Sequence, residues 1–342
     1  MNALRTLFLA LVVCLVIVRT LVLRLLRGPK HPTWTLSTEL LFEGLRAALA
    51  TSHRFLSFEY QRHPRAVPRP RALRERVKRE RRELGGRIVE IHEPLQFASG
   101  APTILYFHGG GYIMCSPGTH RELASRLAWL SRSRCIVPSY RLAPENPYPA
   151  AIDDCIDVYN ALESEGVTPD RLFLAGDSAG GALVLAVLMR LRDQGRRMPC
   201  GAILLSPWVD PAAEGGTLTN NLAYDYLMPS MLAMASSMYV AAGRMKDPFI
   251  SILEANLEGL PPMLLQSGEA ELLHSQHQAL VARARAAEVQ VVYESYPGMV
   301  HVFQMFGLLP QSRAAMKSIA KFVRARLEGR PIEDDADASG GS

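Results

Sequence analysis

Gly176-Asp177-Ser178-Ala179-Gly180 fits the pattern G-x-S-x-G and stands between two apolar runs, Arg171-Leu-Phe-Leu-Ala175 and Gly181-Ala-Leu-Val-Leu-Ala-Val-Leu-Met-Arg190. The first reads as a short buried strand and the second as a helix with small residues where it meets a sheet. Those flanks give the pattern a mechanical meaning. A tight turn between strand and helix pushes the Ser178 hydroxyl out at the C-terminal edge of the strand, above the partial positive charge of the helix N-terminus. Ser178 is therefore the candidate nucleophile. Taken alone, the segment also reads as a glycine-rich turn with a satisfied serine.

A second segment favours the chemical reading. Thr103-Ile-Leu-Tyr-Phe107 is a strand by pattern and runs into His108-Gly109-Gly110-Gly111-Tyr112. Consecutive glycines let the backbone aim its N–H groups at one point, and a loop of this type forms the oxyanion hole of lipases and esterases. The candidate oxyanion residues are Gly109, Gly110 and Gly111 with Ala179, and the expected donors are the N–H groups of Gly110, Gly111 and Ala179. His108 opens the loop and is expected to order it by hydrogen bonding.

With Tyr140-Arg-Leu-Ala-Pro-Glu145 between them, the two segments resemble those of the hormone-sensitive-lipase branch of the α/β-hydrolases. The resemblance extends over about residues 87–328. It implies an α/β-hydrolase fold: a doubly wound, mostly parallel sheet with a helical cap. Ser139 departs from the aspartate usual before the tyrosine, in a segment whose role is structural.

A nucleophilic serine needs a base and a carboxylate to orient it, and in α/β-hydrolases the chain order is serine, acid, histidine. Pro262-Met-Leu-Leu-Gln-Ser267 reads as a buried strand opening onto Gly268-Glu269-Ala270-Glu271, and Val289-Gln-Val-Val-Tyr293 as another, followed by Tyr296-Pro-Gly-Met-Val-His301. His301 is the candidate base. His274 and His277 sit on the helix after the acid loop and read as satisfied surface or core residues. Both Glu269 and Glu271 are available as the acid. The family pattern selects Glu271, which takes the position of the usual aspartate.

The candidate catalytic set is thus Ser178, Glu271 and His301, performing two-step acyl transfer on an ester with no metal and no organic cofactor. The five cysteines show no C-x-x-C spacing, which argues against a zinc site or a redox motif. The expected function is that of a serine carboxylesterase or deacetylase acting on short acyl esters of an apolar small molecule or lipid. A biosynthetic acyltransferase, lyase or cyclase, or a binding protein on the same fold, are the alternatives.

At 342 residues and 48% hydrophobic, the chain can bury a large core. The sequence divides into an apolar N-terminal helix over 1–30, a cap and basic linker over 31–86, a catalytic domain over 87–328, and an acidic tail over 329–342 expected to be disordered. The cap combines the 31–85 segment with an insertion at about 211–250, which includes a Met-rich helix, Met231 to Val240. Leu7 to Val18 carries no charge, and the pattern continues to Leu26 past Arg19 and Arg24. With snorkelling arginines it is expected to form a retained single-pass membrane anchor. Arginines following it favour a cytosolic catalytic domain.

Arg62 to Arg87 holds eleven Lys or Arg and three Glu, a local +8 in a chain of net +5. The run lacks interleaved aromatics, so nucleic acid is not expected as a partner. Anionic headgroups or a solvated helical face with Arg–Glu pairs suit it better. A small-molecule ester, the membrane and a second copy of the chain complete the expected partners.

Overall fold

The apolar runs form the middle of an eight-stranded sheet: β1 (Val77–Leu84), β2 (Arg87–Pro94), β3 (Thr103–Phe107), β4 (Arg134–Pro138), β5 (Leu172–Asp177), β6 (Gly201–Leu205), β7 (Met263–Gly268) and β8 (Val291–Tyr296). These belong to a computed structural model that describes residues 2–55, 66–98, 100–241 and 243–331. The strand order is β1-β2-β4-β3-β5-β6-β7-β8. β1, β2 and β4 pair antiparallel and every other pairing is parallel.

A parallel sheet is covered on both faces, so its strands read as continuous apolar runs. In β3 the alternation splits the run between two cores. Ile104 and Tyr106 pack with α4 (Arg121–Ser131) and α10 (Pro310–Leu327), while Leu105 and Phe107 pack with α5 (Ala150–Ser164) and α6 (Ala179–Asp193). Four shorter or peripheral helices complete this part of the chain or precede it: α1 (Asn2–Arg27), α2 (Leu36–Phe55), α3 (Arg71–Arg74) and α7 (Thr217–Asn220). Two more are α8 (Pro229–Tyr239), in the insertion between β6 and β7, and α9 (His274–Ala286), after β7.

The sheet begins inside the basic run assigned to a linker. Gly85 and Gly86, at φ +57° and +69°, close a two-residue turn that needs positive φ at both positions. β1 is an outer strand on which only Val77 and Leu84 are buried, so its sequence carries no apolar alternation. Its cations pair across strands: Lys78 with Glu93 at 2.6 Å and Arg79 with Glu90 at 3.3 Å. Arg82 reaches Glu165 at 2.5 Å. Residues 62–65 of the run, and all but the first residues of the expected acidic tail, lie outside the described residues.

Among the described residues no helix is long and apolar enough to cross a membrane. This corrects the expected single-pass anchor over 1–30, on which the expected membrane placement and cytosolic side rest. Arg19, Arg24 and Arg27 punctuate the C-terminal half of α1, and α1 packs on α2. Arg24 is engaged within the chain, paired with Glu39 and donating to the Trp34 carbonyl at 3.1 Å.

A third apolar cluster ties α2 to the segment after β8. Trp34 and Phe42 pack with Met299, Val300 and Phe303. The Trp34 indole N–H donates to the Gly298 carbonyl at 2.6 Å.

Candidate active site

Parallel register brings the C-terminal ends of β3, β5, β7 and β8 to one edge, where Phe107 pairs with Gly176 and Gly268 with Tyr296. The loops after these four strands converge there. Ser178 sits at the turn from β5 to α6 with φ 52° and ψ −123°, a backbone conformation that costs an L-residue free energy and that its surroundings must enforce. Its N–H donates to the Leu205 carbonyl at 2.9 Å and its carbonyl accepts from Trp208 N–H at 2.9 Å. Gly180 allows the helix to sit this close: a Cβ there would lie 2.0 Å from the Phe107 carbonyl oxygen.

The loops bring Ser178, His301 and Glu271 together. His301 Nε2 lies 2.9 Å from Ser178 Oγ, and His301 Nδ1 lies 2.9 Å from Glu271 Oε2. A carboxylate can only accept, so Nδ1 carries the proton and Nε2 presents its lone pair to the serine hydroxyl. Glu271 is fully buried; its second oxygen accepts from Gly268 N–H at 2.9 Å and lies 3.0 Å from the Ser267 hydroxyl. Burial alone would raise the Glu271 carboxyl, but His277 and His301 outweigh it and hold the group well below the carboxylate range. Burial would lower the His301 imidazole, and the hydrogen bond and charge of Glu271, with Asp225 and Asp177, raise it above its ordinary value.

His277 is fully buried behind the acid, with Nε2 2.9 Å from the Pro207 carbonyl and Nδ1 3.1 Å from Glu271 Oε1. His274 lies 3.0 Å from the Ser267 hydroxyl. Among the described residues neither histidine hydrogen-bonds to Ser178, and both belong to the surroundings of the acid. Glu269 is exposed, and the Ser295 hydroxyl donates to it at 3.3 Å.

The glycine loop is held from below. Asp177 Oδ1 accepts the Gly109 N–H at 2.9 Å and the Tyr106 hydroxyl at 2.7 Å, and Oδ2 lies 3.3 Å from His120 Nε2. Gly109 is thereby removed from the candidate oxyanion donors, since its N–H is already taken. The N–H groups of Gly110 and Gly111 have no protein acceptor among the described residues. Ala179 opens α6, where an N–H has no intrahelical acceptor. His108 stacks on Tyr140 at 4.3 Å, and its Nδ1 lies 2.8 Å from the Gly109 carbonyl. Burial, with the charge of His120, pushes the His108 imidazole down to about 3, so it is neutral near pH 7. Tyr140 donates to the His108 carbonyl at 2.6 Å.

A cavity of about 330 Å³ opens over Ser178 and His301. Met114, Met231, Met234 and Met305 line it together with Trp208 and Leu232. Leu49 and Val67 reach it from the segment before the sheet, and Tyr226, Leu227 and Ala235 from the insertion. Asp177, His277 and Asp225 have parts in the site that the sequence does not assign to them. Each acts through a neighbour on another element, which no local motif records.

Sheet topology and site together define an α/β-hydrolase. A family model described as the alpha/beta hydrolase fold matches residues 104–305. An acetyl-hydrolase of Streptomyces hygroscopicus is 38% identical over 224 residues, 65% of this chain and 75% of that protein. An esterase of Acinetobacter venetianus is 37% identical over 228 residues, 66% of this chain and 75% of that protein. Among solved structures, a hormone-sensitive lipase from a metagenome library superposes with a TM-score of 0.76 at 38% identity, covering 83% of this chain and 96% of that one. The chain belongs to the α/β-hydrolase family, as an ester hydrolase of its hormone-sensitive-lipase-like branch.

Proposed function

We propose that the chain is a serine carboxylesterase or deacetylase that hydrolyses short acyl esters of an apolar small molecule. Ser178 is the nucleophile, His301 the base and Glu271 the acid. The observation that carries this reading is the continuous hydrogen-bonded chain Ser178–His301–Glu271, opening on an apolar cavity. His301 takes the Ser178 proton as Oγ attacks the ester carbonyl. The tetrahedral oxyanion is received by the N–H groups of Gly110, Gly111 and Ala179. Its collapse breaks the bond to the alcohol oxygen, which leaves with the proton from His301. Water, deprotonated by His301, then attacks the acyl-enzyme and releases the acid and free Ser178.

The volume supports a small substrate, since about 330 Å³ lies at the lower end of small-molecule sites. The methionine-rich wall suits an apolar, variable shape. The S. hygroscopicus relative is named for acetyl hydrolysis, which agrees with a short acyl group. Turnover of p-nitrophenyl esters from acetate to decanoate tests the reading, with activity expected to be highest on the shorter chains. Ser178→Ala should lower kcat by about 10⁴-fold or more. Ester turnover that survives this substitution would sink the assignment.

A further inference from the structure

The insertion between β6 and β7 supplies four side chains to the backbone of the two loops that carry Glu271 and His301. Asn221 donates to the carbonyls of Glu269 and Glu271, at 2.8 Å each. The Thr217 hydroxyl donates to the Leu272 carbonyl at 2.7 Å and the Tyr226 hydroxyl to the His301 carbonyl at 2.8 Å. The fourth, Asp225, is 1% exposed, and its two oxygens divide between the loops. Oδ2 accepts the N–H of Leu272, next to the acid, at 2.8 Å, and Oδ1 accepts the N–H of His301 itself at 3.3 Å. None of the chemical steps above uses this carboxylate.

We propose that Asp225 is a positioning residue for ester hydrolysis, fixing the separation of the acid and base loops and adding negative charge behind His301. This rests on the Ser178–His301–Glu271 reading. One rigid carboxylate that accepts from both loops sets their spacing directly, and displacements near 1 Å in such a constellation cost about 10²-fold in rate. A buried carboxylate is costly unless paired, so its place here needs a counterpart. That counterpart is the two N–H groups and the imidazolium that forms on His301. Burial, the largest influence, raises the Asp225 carboxyl to about 6; His301 opposes that rise and Glu271 adds to it. His301 in turn faces Glu271, Asp225 and Asp177, all of which favour its protonated form.

The sign of the pH effect follows. Removing the Asp225 charge weakens the hold of His301 on its proton, so the acid limb of kcat/KM moves to lower pH. Asp225→Asn removes that charge; its amide can accept one N–H but turns an NH₂ toward the other. On p-nitrophenyl acetate it should lower kcat by about 10- to 100-fold, leave KM within about twofold as expected for a transition-state effect, and shift the acid limb downward. Asn221→Ala, which carries no charge, should lower kcat with the limb in place. Asp225→Glu keeps the charge on a longer arm, so its kcat should fall while the limb stays, and it serves as the test if Asp225→Asn does not fold. Wild-type kcat in Asp225→Glu overturns the proposal, as does a folded Asp225→Asn whose limb is unmoved or whose loss falls on KM alone. Ser178→Ala runs beside them: activity persisting there overturns this inference together with the nucleophile reading. Ser178-dependent activity indifferent to Asp225→Asn overturns this inference alone.

Discussion

Two glutamates two residues apart, Glu269 and Glu271, meet opposite environments. Glu271 is buried and hydrogen-bonded to His301, whereas Glu269 is exposed and accepts from Ser295. Glu271→Gln removes the charge that stabilises the imidazolium and leaves an amide facing Nδ1–H. It should lower kcat by about 10²- to 10⁴-fold, while Glu269→Gln stays within about twofold, as surface changes do. Because Glu271 raises His301, the acid limb of Glu271→Gln should also move to lower pH. Equal modest losses in the two variants, read from kcat on p-nitrophenyl acetate, would refute the assignment. Residues of this kind were legible to unequal degrees. Ser178 and the glycine loop announce themselves because strained turns and exposed amides need particular local sequences. The Gly109 N–H is occupied by Asp177 at the end of β5, a contact across strands that the loop sequence does not contain.

Elements were legible where burial is continuous. Thr103–Phe107 is fully buried and its bounds match the apolar run, whereas β1 reads as a charged linker because its glutamate partners lie on β2 and at the residue just past α5. The junction of β5 and α6 shows what such continuity demands. The helix starts directly against β3, and a methyl group at residue 180 would lie 2.0 Å from the Phe107 carbonyl oxygen and 2.8 Å from that of His108. Both are backbone atoms at the root of the glycine loop, so they cannot yield as a flexible side chain would. Gly180→Ala should therefore cost about 3 kcal/mol or more, seen as a lower denaturation midpoint, and should also lower kcat by displacing Gly110 and Gly111. A variant with wild-type midpoint and rate would mean that the helix has room to move.

On the scale of the whole molecule, the segment before the sheet packs against the candidate site. Sequence alone sets α1 apart as an anchor and assigns α2 to a cap, because nothing local predicts that Trp34 meets Gly298, 264 residues away. In the structure Trp34 is 2% exposed, its ring lies edge-on to Phe42 at 5.3 Å and to Tyr224 at 6.0 Å, and its N–H reaches the loop that ends in His301. The same segment sends Leu49 and Val67 to the cavity wall. If this docking holds the base loop, loosening it should weaken both the fold and the chemistry. Trp34→Ala removes a large buried ring and should destabilise by about 3–5 kcal/mol, with kcat falling in the fraction that remains folded. Trp34→Phe keeps most of the packing and leaves the Gly298 carbonyl unpaired, for a smaller loss of about 1–3 kcal/mol. Denaturant unfolding and kcat measured on the same preparations separate the cases. If the N-terminal segment were a passive attachment, Trp34→Ala would keep wild-type kcat and a wild-type unfolding midpoint for the hydrolase body.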